Sequence, residues 1–452
     1  MCWREITVVK TREDLLASDT KNVWHSMKPF QPNSTVVMKE ASGAWVTDID
    51  GKRYLDAMSG LWCVNAGYGR TELAEAAYSQ LKELAYYPLT QSHIPAIKLA
   101  EKLNEWLGNE YVFFFSNSGS EANETAFKIA RQYHLQKGEN NRYKIVSRYR
   151  SYHGNTLGAM AATGQAQRKY KYEPLATGFL HVPPPDTYRV EEGNGELLKS
   201  VQAIDDAMTW ELSETIAAMI MEPIITGGGI LTPPENYLQQ VKRTCEKHGA
   251  LLIVDEVICG FGRTGKPFGY MNYGVRPDII TMAKGITSGY MPLAATAVKK
   301  EIYEAFKGSE EYDYFRHVNT FGGSPASCAV ALKNLEIFER ENLVERSAQK
   351  GKQLLSELKQ RLSDHPFVGD IRGKGLLIGI ELVSDKQTKT PLDVERVNKV
   401  VTRCKEKGVL IGKNGATVAG YNNVIALAPP LNLTDDDLTK IIETVSASFV
   451  NL

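Results

Sequence analysis

The sequence predicts an α/β protein: a large, mainly parallel sheet covered by helices, joined to a smaller α+β domain. Three observations carry this. Short β-rich runs at 111–116, 143–147, 216–222, 250–256, 278–284 and 294–298 alternate with helical stretches, the pattern of a doubly covered parallel sheet. After about 326 the order changes to one long helical stretch followed by separated strands. And 452 residues exceed what a single hydrophobic core usually fills.

Taken in order, residues 1–35 read as irregular, with one short helix and a turn at PFQPN. The stretch VVMKEASGAWVTDIDGKRYLDAMSG then alternates in strand fashion around an Asp50-Gly51 turn, a hairpin signal. Helical periodicity appears in ELAEAAYSQLKELAYY and PAIKLAEKLNEWLG, ahead of the first core strand YVFFFS. Beyond the last core strand, the helical stretch from 327 to 362 contains a break. Strands follow near 375–383 and 423–428, and a helix starts after 434. This divides the chain into residues 1–70, contributing to the small domain, 71–325 as the large domain, and 326–452 as the C-terminal small domain.

Charge and composition exclude whole classes. Lys plus Arg and Asp plus Glu are equal at 53 each, so no basic excess points to nucleic acid or an acidic membrane surface. No run of 18 apolar residues occurs, and six cysteines are scattered without a CxxC pair. The expectation is a cytoplasmic protein of a reducing compartment, with no metal site.

Three core runs end in an ionisable residue: Glu222, Asp255 and Lys284. Ligands of open α/β sheets bind outside the carboxyl ends of the strands, so opposite charges on neighbouring ends face one crevice. A buried structural ion pair is the plain alternative. In FFFSNSGSEANETAFKIARQY a strand turns into a helix, which puts Ser118, Gly119 and Ser120 at its N-terminus, where free amides and the helix dipole favour an anion. A simple N-cap by Ser120 would explain one serine but not the glycine between two. In RYRSYHGNT, Tyr152, His153 and Gly154 follow a strand, where an aromatic ring can stack on a flat ligand. A phosphate cup, a stacking aromatic, a strand-end carboxylate and a strand-end amine together describe pyridoxal phosphate. The amine forms a Schiff base and the carboxylate keeps the pyridine nitrogen protonated.

The motifs SGSEANE, YHG, LLIVDEVICGFGRTG, PDIITMAKGITSGYMPL and NTFGGSP, in this order, resemble the class III pyridoxal-phosphate aminotransferases. The resemblance implies the fold type I architecture with a seven-stranded large domain, and a homodimer sharing its active sites, the tetramer being left open. It assigns the cofactor lysine to Lys284, the pyridine partner to Asp255 and the ring faces to Val257 and Tyr152. Ser118, Gly119 and Ser120 would hold the phosphate, with Thr320 of the neighbouring subunit, and Glu222 would join the network beside the cofactor.

For the substrate, Trp62 matches an aromatic that ω-amino acid:pyruvate transaminases place against it, with a buried structural tryptophan as the alternative. Trp24 falls where such enzymes put N-terminal pocket residues. Many relatives carry a carboxylate-binding arginine shortly before a PP sequence, yet no arginine follows Arg403 here, and Lys413 is the nearby cation. The stretch GKNGATVAGYNNVIALAPPL resembles taurine:pyruvate and related ω-amine transaminases. The expected substrates are therefore an ω-amine or ω-amino acid donor and pyruvate. The alternatives are the adenosylmethionine-dependent aminotransferase of biotin synthesis, another class III enzyme using 2-oxoglutarate, a non-transaminating pyridoxal enzyme, or a silent binding protein on the same fold.

Overall fold

The computed structural model describes residues 11–27, 29–190, 198–414 and 420–452. The first described helix is Arg12–Asn22, behind a reciprocal capping box of Thr11 and Asp14. Three antiparallel strands follow: β1 (Met38–Ser42), β2 (Trp45–Asp48) and β3 (Arg53–Asp56). The second hairpin turns at Asp50-Gly51 as expected. The first turns at Gly43, which the sequence reading passed over.

The main sheet holds seven strands: β4 (Tyr111–Ser116), β5 (Lys144–Arg148), β6 (Phe179–Val182), β7 (Ile216–Met221), β8 (Leu251–Asp255), β9 (Ile279–Met282) and β10 (Ala294–Lys299). Their spatial order is β4-β10-β9-β8-β7-β5-β6. From β9 to β6 all pairings are parallel, and β10 runs antiparallel to both of its neighbours. β4 therefore points the same way as the parallel set. Every residue of β7 is buried, as continuous apolar runs require when helices cover both faces. β6 was missed in the sequence because FLHV is short and runs straight into three prolines.

The helical stretch beyond β10 is two helices, Pro325–Arg340 and Leu343–Leu362, broken where Asn342 adopts φ 51°. Beyond them lie β11 (Val368–Lys374), β12 (Leu377–Asp385), β13 (Thr390–Pro391), β14 (Val409–Leu410), β15 (Gly412–Lys413) and β16 (Val424–Leu427). β11-β12-β16-β15 form an antiparallel sheet with β13 on β12. β14 instead pairs parallel with β3, so the C-terminal segment completes the N-terminal sheet.

β11 was also not expected, because VGDIRGK carries three charges and two glycines. It is stable because Arg372 is buried against Glu381, a fully buried carboxylate in the middle of β12, at 2.8 Å. Arg189 meets the same carboxylate at 2.6 Å. Among the described residues no helix is long and apolar enough to cross a membrane.

Candidate active site

Because β4, β5, β7, β8 and β9 share one direction, their carboxyl ends and the segments that follow them meet at one edge of the sheet. A cavity of about 380 Å³ lies there, lined by residues from all five. Of the residues expected from sequence, Ser118, Gly119, Ser120, Tyr152, His153, Gly154, Glu222, Asp255, Val257 and Lys284 all line it.

Asp255 ends β8 with its side chain buried. Oδ2 accepts from Asn123 Nδ2 and from His153 Nδ1, each at 2.9 Å, and Oδ1 accepts from the Val257 amide at 3.0 Å. Asn123 also donates to the His153 carbonyl at 2.6 Å and accepts from Thr281 Oγ1 at 2.7 Å. Asn123 and Thr281 escaped the sequence reading. The signal was present, since Asn123 lies on the same buried stripe as Ala122 and Ala126 of the helix Gly119–Gln136.

Lys284 follows β9 by two residues, in a short turn with φ 46°, a left-handed conformation that a lysine rarely adopts. Half-buried on the cavity wall, its ammonium has no hydrogen-bond or ion-pair partner among the described residues. Glu222, just past β7, is buried and accepts from the Tyr152 amide at 3.1 Å and from Thr226 Oγ1 at 2.6 Å. Burial raises its carboxyl above the ordinary range.

The helix Gly119–Gln136 begins at the cavity with Ser118 as N-cap, its hydroxyl accepting from the Glu121 amide at 3.3 Å. The cap is thus Ser118 rather than Ser120. Ser120 Oγ instead donates to Asn155 at 2.9 Å, tying the helix start to the loop after His153. The Gly119 and Ser120 amides open the helix, where no intrahelical acceptor exists. A Cβ at Gly119 would stand 2.9 Å from both methyls of Val257, and one at Gly154 would stand 2.5 Å from Ser120 Oγ. Both glycines are required by close approach.

The sequence of this chain matches the Aminotransferase class-III family over residues 27–449. The chain belongs to that family. This class III aminotransferase is a pyridoxal-phosphate-dependent transaminase of fold type I. It is 68% identical over 98% of both chains to the uncharacterized aminotransferase YhxA of Bacillus subtilis (strain 168). It is 41% identical to the taurine–pyruvate aminotransferase of Bilophila wadsworthia (strain 3_1_6), again over 98% of each. A crystal structure of a Bacillus anthracis aminotransferase, 67% identical, superposes with a TM-score of 0.96 over 97% of this chain and 98% of that one.

The residues present fit the cofactor. An unpartnered primary amine, a buried carboxylate braced by three donors and an amide-rich helix start share one cavity, and these suit a carbonyl, a pyridine nitrogen and a phosphate respectively.

The residues expected at the substrate are placed less directly. Trp62, with φ 64°, does not line the cavity; it is half-buried against the cluster of Ile224, Ile230, Cys259, Leu377, Ala426 and Ala428. Its neighbour Cys63 lines the cavity instead. Burial raises the Cys63 thiol, while Lys284 and Arg263 pull it down. Lys413 lies outside the cavity lining, with Nζ on Asn398 Oδ1 at 2.5 Å. Thr320 is exposed, its carbonyl accepting from Tyr86, and does not line the cavity of its own chain. Trp24 is almost wholly exposed on the N-terminal segment.

Proposed function

We propose that this transaminase moves an amino group from an ω-amine or ω-amino acid of the taurine or β-alanine kind to pyruvate, by a ping-pong cycle that releases alanine. The observation that carries this reading is the C-terminal stretch 409–431, which lacks the carboxylate-binding arginine of many relatives, in a chain 41% identical over 98% of its length to a taurine–pyruvate aminotransferase.

Lys284 is the amine that would hold the cofactor, and Asp255 the carboxylate that would face its pyridine nitrogen. Val257 and Tyr152 would flank the ring, and Ser118, Gly119 and Ser120 would hold the phosphate with Thr320 of a second subunit. When bound, pyridoxal phosphate supplies a carbonyl for the donor amine and an electron sink for the carbon that bore it. With the cofactor in place, Lys284 Nζ would take the proton from the amine-bearing carbon and later return one. Asp255, held by Asn123 and His153, would face that nitrogen and favour a proton on it. Glu222 fixes the Tyr152 backbone and so the flanking aromatic.

We assign the working unit as a homodimer in the cytoplasm. The five described cysteines are all free, and Tyr86, Tyr87, Leu89 and Phe321 are exposed in the region that carries Thr320. We further assign residues 71–325 to the cofactor domain and the two ends of the chain to a shared small domain, which the pairing of β14 with β3 supports.

A donor panel of taurine, β-alanine, diamines and S-adenosylmethionine, run against pyruvate and against 2-oxoglutarate, tests the substrate reading. Alanine formed from ω-donors is expected. Glutamate without alanine, or activity confined to S-adenosylmethionine, would replace it with one of the alternatives.

A further inference from the structure

The proposed ω-amino acid donors and pyruvate end in an acidic group, yet Lys284 is the only lysine or arginine among the described residues lining the cavity. The carboxylates there, Glu222 and Asp255, would repel such a group. A second cation must offset them for an acidic substrate to settle.

Arg168 stands next to the cavity. It lies on the short helix Ala166–Lys169, and its guanidinium carbon sits 4.8 Å from the centroid of the Tyr152 ring, which itself lines the cavity. The arginine is held by its inner nitrogen: Nε donates to Gln165 Oε1 at 2.6 Å. Gln165 is fully buried and in turn donates to the Arg150 carbonyl at 2.9 Å, so the anchor belongs to the same loop that carries Tyr152 and His153. Of the two terminal nitrogens, Nη1 meets only Met27 Sδ at 3.6 Å, a weak acceptor on an exposed side chain. Among the described residues neither terminal nitrogen has an oxygen acceptor, and no carboxylate pairs with Arg168. The guanidinium also lowers the Tyr152 phenol against the effect of burial, an electrostatic sign of its closeness to the cavity wall.

We infer that Arg168 is the specificity residue that receives the acidic end of the substrate, its two terminal nitrogens forming a fork for a carboxylate or sulfonate beside Tyr152. The inference rests on the substrate reading given above. A guanidinium offers paired, coplanar donors that match either group, and the anchoring at Nε pre-orients that pair. Among the described residues only Nη1 of the fork has a polar neighbour, the Met27 sulfur, and Lys413, held by Asn398, is not needed for this role.

The test uses the cofactor-loaded enzyme and the variants Arg168→Ala, Arg168→Gln, Arg168→Lys and Lys413→Ala. Steady-state constants are measured for pyruvate, taurine and benzylamine, an amine with no acidic group. Binding of ethanesulfonate, which has no amine and cannot react, is followed by calorimetry. Loss of one charge-assisted fork corresponds to a rise of about 10- to 100-fold in the pyruvate KM and the ethanesulfonate Kd of Arg168→Ala. The benzylamine KM should stay within about threefold, as expected for a group that contacts only the acidic end. Arg168→Lys should recover part of the loss. Should Arg168→Ala fail to fold, Arg168→Gln gives the same reading.

Equal losses for benzylamine and pyruvate, no change in ethanesulfonate binding, or a selective loss in Lys413→Ala instead would each overturn the assignment. Failure of the donor reading is seen separately. If the wild type forms no product from taurine, that reading falls, while pyruvate and ethanesulfonate still judge Arg168.

Discussion

His153 and Asp255 form a buried pair, with imidazole Nδ1 2.9 Å from carboxylate Oδ2 and both side chains shut off from solvent. An ionised carboxylate only accepts, so the ring donates from Nδ1 and the Asp255 charge is held in place from two sides, by His153 and Asn123. Removing one such donor by His153→Phe should lower kcat about 10- to 100-fold, the worth of a hydrogen bond to a charged group. Asp255→Asn should lose most activity while keeping some cofactor. Cofactor absorbance and kcat measured side by side decide this, and unchanged kcat in both variants would remove the pair from its positioning role.

Lys284→Ala should leave the fold intact and reduce turnover by at least about a thousandfold, since it deletes both the attachment point and the proton carrier. Single-turnover kinetics with excess donor check this. Substantial transamination by a well-folded variant would mean that another group moves the proton.

Gly119→Ala places a methyl 2.9 Å from both Val257 methyls. Overpacking of this kind costs about 1–3 kcal/mol, and here it pushes a cavity-lining side chain. The variant should bind pyridoxal phosphate more weakly by equilibrium dialysis, and adding Val257→Ala should restore part of the affinity. A double variant no better than the single one would show that the glycine serves backbone geometry alone.

Asp278 governs part of the acid response. Burial opposes its charge, but Lys242 at 2.8 Å, Lys299 at 2.9 Å and the Leu252 amide at 2.8 Å outweigh it and hold its pKa below the ordinary 3.8. A depressed native pKa means that the unfolded chain binds the proton more readily. The stabilisation is therefore present above the unfolded pKa and is lost as pH falls through the native one. Between pH 5 and pH 3 the wild type should lose more thermal stability than Asp278→Asn. Parallel melting curves over that range would contradict the assignment.

Glu381→Leu should destabilise by about 3–5 kcal/mol, because it leaves Arg189 and Arg372 buried without their shared carboxylate. Urea unfolding measures this. A variant as stable as the wild type would show that Asp370 and the backbone carbonyls already satisfy those arginines.

Much of the fold was legible because local pattern encodes it. Six of the seven main-sheet strands are apolar runs of strand length, and the long helical stretch after them is broken in two, as the sequence reading expected without placing the break. The cofactor site was legible for the same reason: Asp255 ends an apolar run, while Glu222 and Lys284 come one and two residues after one, and parallel strands bring such ends together. The surroundings of the expected substrate residues were not. Trp62 and Lys413 were chosen by their place in a motif, but the first packs against Ile224 and Leu377, and the second turns to Asn398.

By itself the sequence determined the strand periods, the helix starts and the presence of an amine and a carboxylate at the sheet edge, since these follow from residues a few positions apart. Only the tertiary structure decided that Glu381 could be buried, that His153 would brace Asp255 and that Arg168 would lie on Tyr152 with its outer nitrogens open. Glu381 meets Arg189 and His153 meets Asp255 across more than 100 residues of chain, so no local pattern records the match. Arg168 lies near Tyr152 in sequence, yet its placement depends on Gln165 bonding back to Arg150, a turn of the backbone that residue type alone does not specify.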